Sequence, residues 1–112
     1  MTNAVDVVRR FYVAYQEQDA ETARRVLSDR LTFTSPQDDN IGKADYLERC
    51  FPTASRFLST EVQEPIEAEP GLVIWRYRYE LQDGGRFSNV EEIRVQDDQV
   101  VDIRVFFGGP LP

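Results

Sequence analysis

Histidine is absent from this 112-residue chain. Its absence removes Ser-His-Asp and Cys-His activation of a nucleophile, and every metal site that needs an imidazole. Acid–base chemistry is left to carboxylates, tyrosines, lysine or water. Cysteine occurs once, at Cys50, so no intramolecular disulfide can form, and a reducing compartment fits. The opening segment MTNAVDVVRRFYVAY lacks the basic start and apolar run of a signal peptide. No apolar stretch nears the ~20 residues of a membrane helix. A cytoplasmic location without a membrane partner is therefore expected. Basic residues are scarce as well: 13 Lys and Arg against 20 Asp and Glu give a net charge of −7. A surface of that sign repels phosphates, which argues against a nucleic-acid partner.

What remains is ordinary globular material, 41% apolar and 29% charged. The length suits one domain, here residues 1–112, with a core that needs no staples. The first half reads as helices. Val5, Val8, Phe11, Tyr12 and Tyr15 recur at three and four residues and form one stripe. Asn3 suits the N-cap of this helix, and Asp19 that of a second, Ala20 to Ser28, with Ala23, Val26 and Leu27 on one side. Leu31 to Ser35 alternates before Pro36 and reads as a short strand. A third helix carries Tyr46, Leu47, Cys50 and Phe51 on its apolar side, ending at Pro52.

The second half reads as strands. Thr60 to Ala68 holds Pro65, which places it at an edge or a bulge. Leu72 to Gln82, Arg86 to Gln96 and Gln99 to Phe107 follow, separated by Asp83-Gly84-Gly85 and Asp97-Asp98 turns; Gly108 to Pro112 reads as a loose tail. Helices followed by a meander of strands specify an α+β fold. Alternation puts Val73, Trp75, Tyr77, Tyr79 and Leu81 on one face, with Asn89, Glu91, Ile93, Val95, Ile103, Val105 and Phe107. Arg76, Arg78, Glu80, Glu92, Arg94, Asp102 and Arg104 fall on the other. That charged face, with Val90 and Phe106 as apolar spots, is where a homodimer contact is expected.

The segments VVRRFYVAYQEQD, LTFTSP, GKADYL and SNVEEIRVQDDQVVDIRVFFGG, in this order, resemble the nuclear transport factor 2-like superfamily and within it the SnoaL-like group. The resemblance spans nearly the whole chain. It implies a cone-shaped fold in which a curled antiparallel sheet carries about three helices on its concave face around an apolar pocket. It also implies, as a rule, a homodimer through the outer sheet face. It specifies no reaction, because isomerases, cyclases, hydrolases, dehydratases and non-catalytic binders share this fold.

Similarity to ketosteroid isomerase sharpens the question. That enzyme places a carboxylate base before the proline after the first strand, a tyrosine on the first helix, and a protonated aspartate on a later strand. The corresponding positions here are Ser35, Phe11 and Glu91. Two of the three roles are missing, which argues against steroid-type enolisation. Limonene-epoxide-hydrolase-like catalysis would need an inward Asp–Arg–Asp set, whereas the strand arginines alternate outward.

Glu91 is the most informative residue. An inward carboxyl in apolar surroundings has its charged form disfavoured, so its pKa should rise and it can shuttle a proton. Alternatively it is simply hydrogen-bonded to Tyr77, Tyr79 or Asn89, or a bulge turns Glu92 inward in its place. Tyr15 and Tyr46 offer phenolic donors to a bound carbonyl, or serve as core aromatics. Phe11, Ser35, Tyr46, Trp75, Tyr77, Ile93, Ile103, Val105 and Phe107 are the expected pocket lining, with Glu91 and Tyr15 as candidate catalytic groups. Asp38-Asp39-Asn40 reads as turn chemistry rather than a metal site, and Cys50 as a small buried hydrophobe. No metal or cofactor is called for. The expected partner is a small apolar or carbonyl-containing molecule. The competing expectation is a non-catalytic dimeric module whose own side chains fill the cavity.

Overall fold

Helix α1 (Ala4–Glu17) begins where the Asn3 side chain accepts the Asp6 N–H at 2.8 Å. It stops at Gln18, which adopts a left-handed conformation at φ 55°. Asp19 then caps α2 (Ala20–Val26), accepting both the backbone N–H and the hydroxyl of Thr22. These elements come from a computed structural model, which describes residues 3–112. The first two residues of the expected domain lie outside the described residues.

The buried face of α1 is Ala4, Val7, Val8, Phe11 and Ala14. It is rotated from the expected stripe: Val5, Tyr12 and Tyr15 are only half-buried, at its margin. The two alanines let the helix approach the sheet closely, and the tyrosines flank the contact. Helix α2 is shorter than expected, because Leu27 and Ser28 already belong to strand β1 (Leu27–Thr34). Helix α3 (Lys43–Arg49) runs into a 3-10 turn over Phe51–Arg56, with Pro52 near its start.

Strands β2 (Phe57–Val62), β3 (Ile66–Glu69), β4 (Leu72–Leu81), β5 (Arg86–Gln96) and β6 (Gln99–Pro110) complete the chain. The single strand expected over Thr60 to Ala68 is therefore two. The break spans residues 63–65, where proline cannot donate to a ladder. The sheet order is β1-β6-β5-β4-β2, with β3 also on β4. All neighbours are antiparallel except β1 and β6, which run parallel. The sheet curls without closing. Helix α1 lies against β4, β5 and β6, while α2 and α3 pack beside β1. This is an α+β fold with its helices on the concave face.

The expected loose tail is mostly strand. Gly108 approaches Ser88 so closely that a Cβ would meet its hydroxyl at 2.6 Å. Gly109, at φ +89°, supplies the irregularity by which β6 stays paired to β5 out to Pro110. A second irregularity, between Arg94 and Val95, lets Val100 and Ile103 both face the core despite their odd spacing. At the tight β5–β6 hairpin, Asp97 and Asp98 both take positive φ, 54° and 60°.

Val7, Val8, Val73, Ile93, Val100 and Ile103 are almost wholly buried. Burial of one such side chain contributes roughly 1.5–3 kcal/mol, so their contact holds α1 to the sheet. Arg76, Arg78, Arg94 and Arg104 are exposed on the opposite face. Thr32 donates to Asp102 there at 2.5 Å, tying β1 to β6.

Gly71 and Gly84 both hold positive φ, but only Gly71 is crowded: a Cβ there would sit 2.9 Å from the Val95 carbonyl. Gly71→Ala is expected to cost about 2–3 kcal/mol in urea unfolding, and Gly84→Ala about 1 kcal/mol. Equal losses would show that the Val95 contact is not what constrains the turn.

Candidate functional site

The β4–β5 register sets Trp75 opposite Glu91 and Tyr77 opposite Asn89; β6 adds Val105 opposite Glu91. The register shifts in β5 fall outside Glu91–Ile93, so Glu91 shares the inward face with Ile93 and Glu92 does not. Strand geometry thus puts one carboxyl beneath the helices.

That carboxyl ends a directional chain. Tyr79 donates to Asn89 Oδ1 at 3.5 Å, Asn89 Nδ2 donates to the Tyr77 hydroxyl at 3.3 Å, and Tyr77 donates to Glu91 Oε2 at 2.5 Å. The last link is by far the strongest by distance. Glu91 is thus bonded to Tyr77 whatever else it does. Beside it, the indole N–H of Trp75 is buried without a hydrogen-bond partner among the described residues, and Trp75 is only 6% exposed. Such a group in a folded core calls for an explanation.

Burial pushes the Glu91 carboxyl above its ordinary value of 4.5, against the pull of the Tyr77 hydroxyl and the nearby indole N–H. The indole favours the ionised carboxylate by proximity, without a hydrogen bond to it. The surrounding phenols shift upward too. Tyr15 rises to about 12, by burial first, with Thr53 opposing and the Glu91 charge adding. Tyr46 rises well above 10.0, again by burial, then by Glu91. Tyr12 and Tyr77 rise for the same two reasons. All four therefore remain neutral donors around one titrating acid.

Tyr15 and the Thr53 hydroxyl lie 2.9 Å apart; because Thr53 donates to the Cys50 carbonyl, Tyr15 is the donor. Tyr12 stands edge-on to Trp75 at 4.8 Å between centroids. Both tyrosines also line a surface cleft of about 220 Å³, with Phe57, Leu58, Ser59 and Thr60 of β2 and Gln16 and Ala54. A larger depression of about 500 Å³ lies elsewhere, at Lys43. There the lysine is already bonded to Arg24 O, Leu27 O and Asp29, which ties α3 to the end of α2 and the start of β1.

The expected site residues divide accordingly. Glu91, Tyr15, Tyr46, Trp75 and Tyr77 come together. Phe11 and Tyr46 roof them, with rings 6.1 Å apart, and Ile93, Ile103 and Val105 lie in or against the same core. Ser35 instead turns back on its own loop, its N–H and hydroxyl bonded to Asp38. Phe107 faces inward by register but is 52% exposed, its ring tilted against that of Phe87 at 5.6 Å between centroids. Cys50 is half-buried, not fully buried, and its thiol donates to Asp38 at 3.7 Å; burial and that carboxylate raise it to about 11. Tyr12, Phe33, Phe57, Thr53 and Thr60 were not anticipated as site residues. Thr60 needed the β2–β4 register, which sets it opposite Tyr79.

No family's sequence model matches the chain, and no match was found among curated proteins. Solved structures do. The fold is that of nuclear transport factor 2-like proteins. One such protein of unknown function, from Cytophaga hutchinsonii, superposes with a TM-score of 0.80 at 19% identity, covering 96% of this chain and 91% of that one. A protein from Kribbella flavida gives 0.81 at 19% identity, over 96% and 88%. An epoxide hydrolase from M. tuberculosis gives 0.74 at 18% identity, over 93% and 81%. No helix among the described residues is long and apolar enough to cross a membrane.

An acid whose pKa is higher folded than unfolded destabilises the fold as pH rises. Glu91 contributes no penalty below 4.5 and an increasing one as pH climbs through its raised folded value. Glu91→Gln should therefore gain stability over the parent as pH rises, and the two should converge in acid, read as urea midpoints. Curves that stay parallel would place the carboxyl in water. Tyr77→Phe removes the 2.5 Å bond and should cost about 1–2 kcal/mol at neutral pH.

Proposed function

We propose that this chain is a small-molecule-binding domain in which Glu91 meets the ligand. The supporting observation is the half-buried Tyr77–Glu91 hydrogen bond beside the buried Trp75 N–H, which has no hydrogen-bond partner among the described residues. Tyr12 and Tyr15 connect the β2 cleft to this cluster and form the way in. A carboxyl whose charged form is disfavoured by burial suits proton transfer of the kind a cyclase, isomerase or dehydratase performs, with Tyr15 as a donor once its hydroxyl turns from Thr53 to the ligand. Epoxide hydrolysis is not carried over from the mycobacterial neighbour, because the strand arginines here are exposed on the outer face.

A second reading has its own support. The inner aromatic rings pack on one another, Trp75 on Tyr77 and Tyr77 on Tyr79, each at 5.8 Å. The cleft volume of about 220 Å³ falls below the ~300 Å³ where ligand pockets usually begin. In that reading the cavity is self-filled, and a cytoplasmic homodimer through the outer sheet face is the functional form. Phe106, 49% exposed among the charged residues, would be its apolar centre.

A thermal-shift screen of small carbonyl and aromatic compounds tests the first reading. Hits whose stabilisation disappears in Glu91→Gln, itself melting no lower than the parent, are expected. Hits indifferent to that change would remove Glu91 from the site. Sedimentation of Phe106→Glu tests the second: a dimer reduced to monomer supports it, and a parent that sediments as a monomer rejects it.

A further inference from the structure

Among the described residues Glu91 has no cationic partner. The arginines of β4, β5 and β6 nearest in sequence (Arg76, Arg78, Arg94, Arg104) are exposed on the opposite face. The hydrogen bond to the carboxyl comes from Tyr77, a neutral group. Around it stand five aromatic residues from three layers: Tyr12 and Tyr15 from α1, Tyr46 from α3, and Trp75 and Tyr77 from β4. A half-buried carboxyl set among aromatic side chains, bonded to a neutral hydroxyl and with no cation against it among the described residues, has the chemistry of a receptor for a positive charge.

Building on the small-molecule reading above, we infer that the ligand carries a protonated amine, whose ammonium pairs with Glu91 while its body lies among the surrounding rings. The cation supplies what the site lacks. It favours the ionised carboxylate, which can then accept from the Trp75 N–H as well as from Tyr77, so the orphan donor gains its partner. Trp and Tyr rings add cation–π attraction, strongest where water is excluded. The overall charge of −7 draws cations toward the molecule and repels anionic competitors. No proton leaves the ligand on binding; where Glu91 is protonated beforehand, its proton goes to solvent.

Proton release gives the inference its signature. Tyr12, Tyr15, Tyr46 and Tyr77 stay neutral across the acidic and neutral range, and Cys50 is raised too, which leaves Glu91 as the titrating group facing the ligand. Amine affinity should therefore climb with pH as Glu91 ionises, then level off.

Phenethylamine and 2-phenylethanol form a matched probe pair, alike in body and differing in charge. Calorimetric titration of the intact protein is expected to show the amine binding on the order of tenfold tighter. The preference should weaken in acid and vanish in Glu91→Gln. Tyr77→Phe, which keeps the acid, should retain it. Equal affinity for both probes, or a preference that survives in Glu91→Gln, overturns the amine inference while leaving the small-molecule reading intact. Failure of both probes also overturns it; the broader reading then falls only if the neutral screen is empty. Should Glu91→Gln not fold, the parent's pH profile decides: an amine affinity independent of pH rejects a carboxylate partner.

Discussion

The antiparallel register that aligns Trp75, Glu91 and Val105 across three strands sets the character of the interior. Each of those side chains points beneath the helices because of its place in the ladder, not because of its own polarity. Two of the three are suited to a packed core. The carboxyl is not, and the fold compensates by surrounding it with hydroxyl groups. Tyr77 is the essential one, since it is opposed by Asn89 in the same ladder and reaches Glu91 one rung away. Any slip of a single residue between β4 and β5 would turn Glu91 to solvent and bring Arg76 or Glu92 inward, so the sheet's pairing and the site's chemistry cannot vary independently.

Two opposing influences meet at Glu91. Removal from water favours the neutral acid, while Tyr77 and Trp75 favour the anion. Burial is the larger, which leaves the group responsive to anything that adds a charge nearby. The tyrosines amplify this responsiveness without competing for the proton, since burial drives their own ionisation out of reach. A neutral, donor-rich wall around one adaptable acid is a different arrangement from an Asp–Arg–Asp set, in which fixed charges hold each other in place.

Much of this was legible before the structure. Alternation alone separated the inward Glu91, Ile93, Ile103 and Val105 from the outward arginines, because a period of two needs no tertiary information. Asn3 and Asp19 as helix caps and Asp97-Asp98 as a turn were legible for the same reason: their physics is local. What failed was whatever depended on distant partners. Phe107 faces inward yet is exposed, because α1 does not extend over the far end of the sheet. Ser35, expected in the pocket lining, instead has its N–H and hydroxyl taken up by Asp38. Val100 entered the core through a local irregularity that alternation cannot foresee, and the Gly108 segment joined β6 through a close approach to Ser88. Thr60 and Tyr12 drew their importance from β2 crossing near α1, a juxtaposition with no sequence signal.

The parallel pairing of β1 with β6 has a consequence for how such a chain comes into being. Strand β1 finds its ladder partner in β6, about seventy residues later in the sequence. As the ribosome releases the chain from its N-terminal end, α1, α2 and β1 emerge with no sheet to rest on, and β6, which lies in the interior of the strand order, arrives after every other strand. Strand β1 therefore stays without its ladder partner until the last strand slots between it and β5, whereas α1 can already rest on β4 and β5.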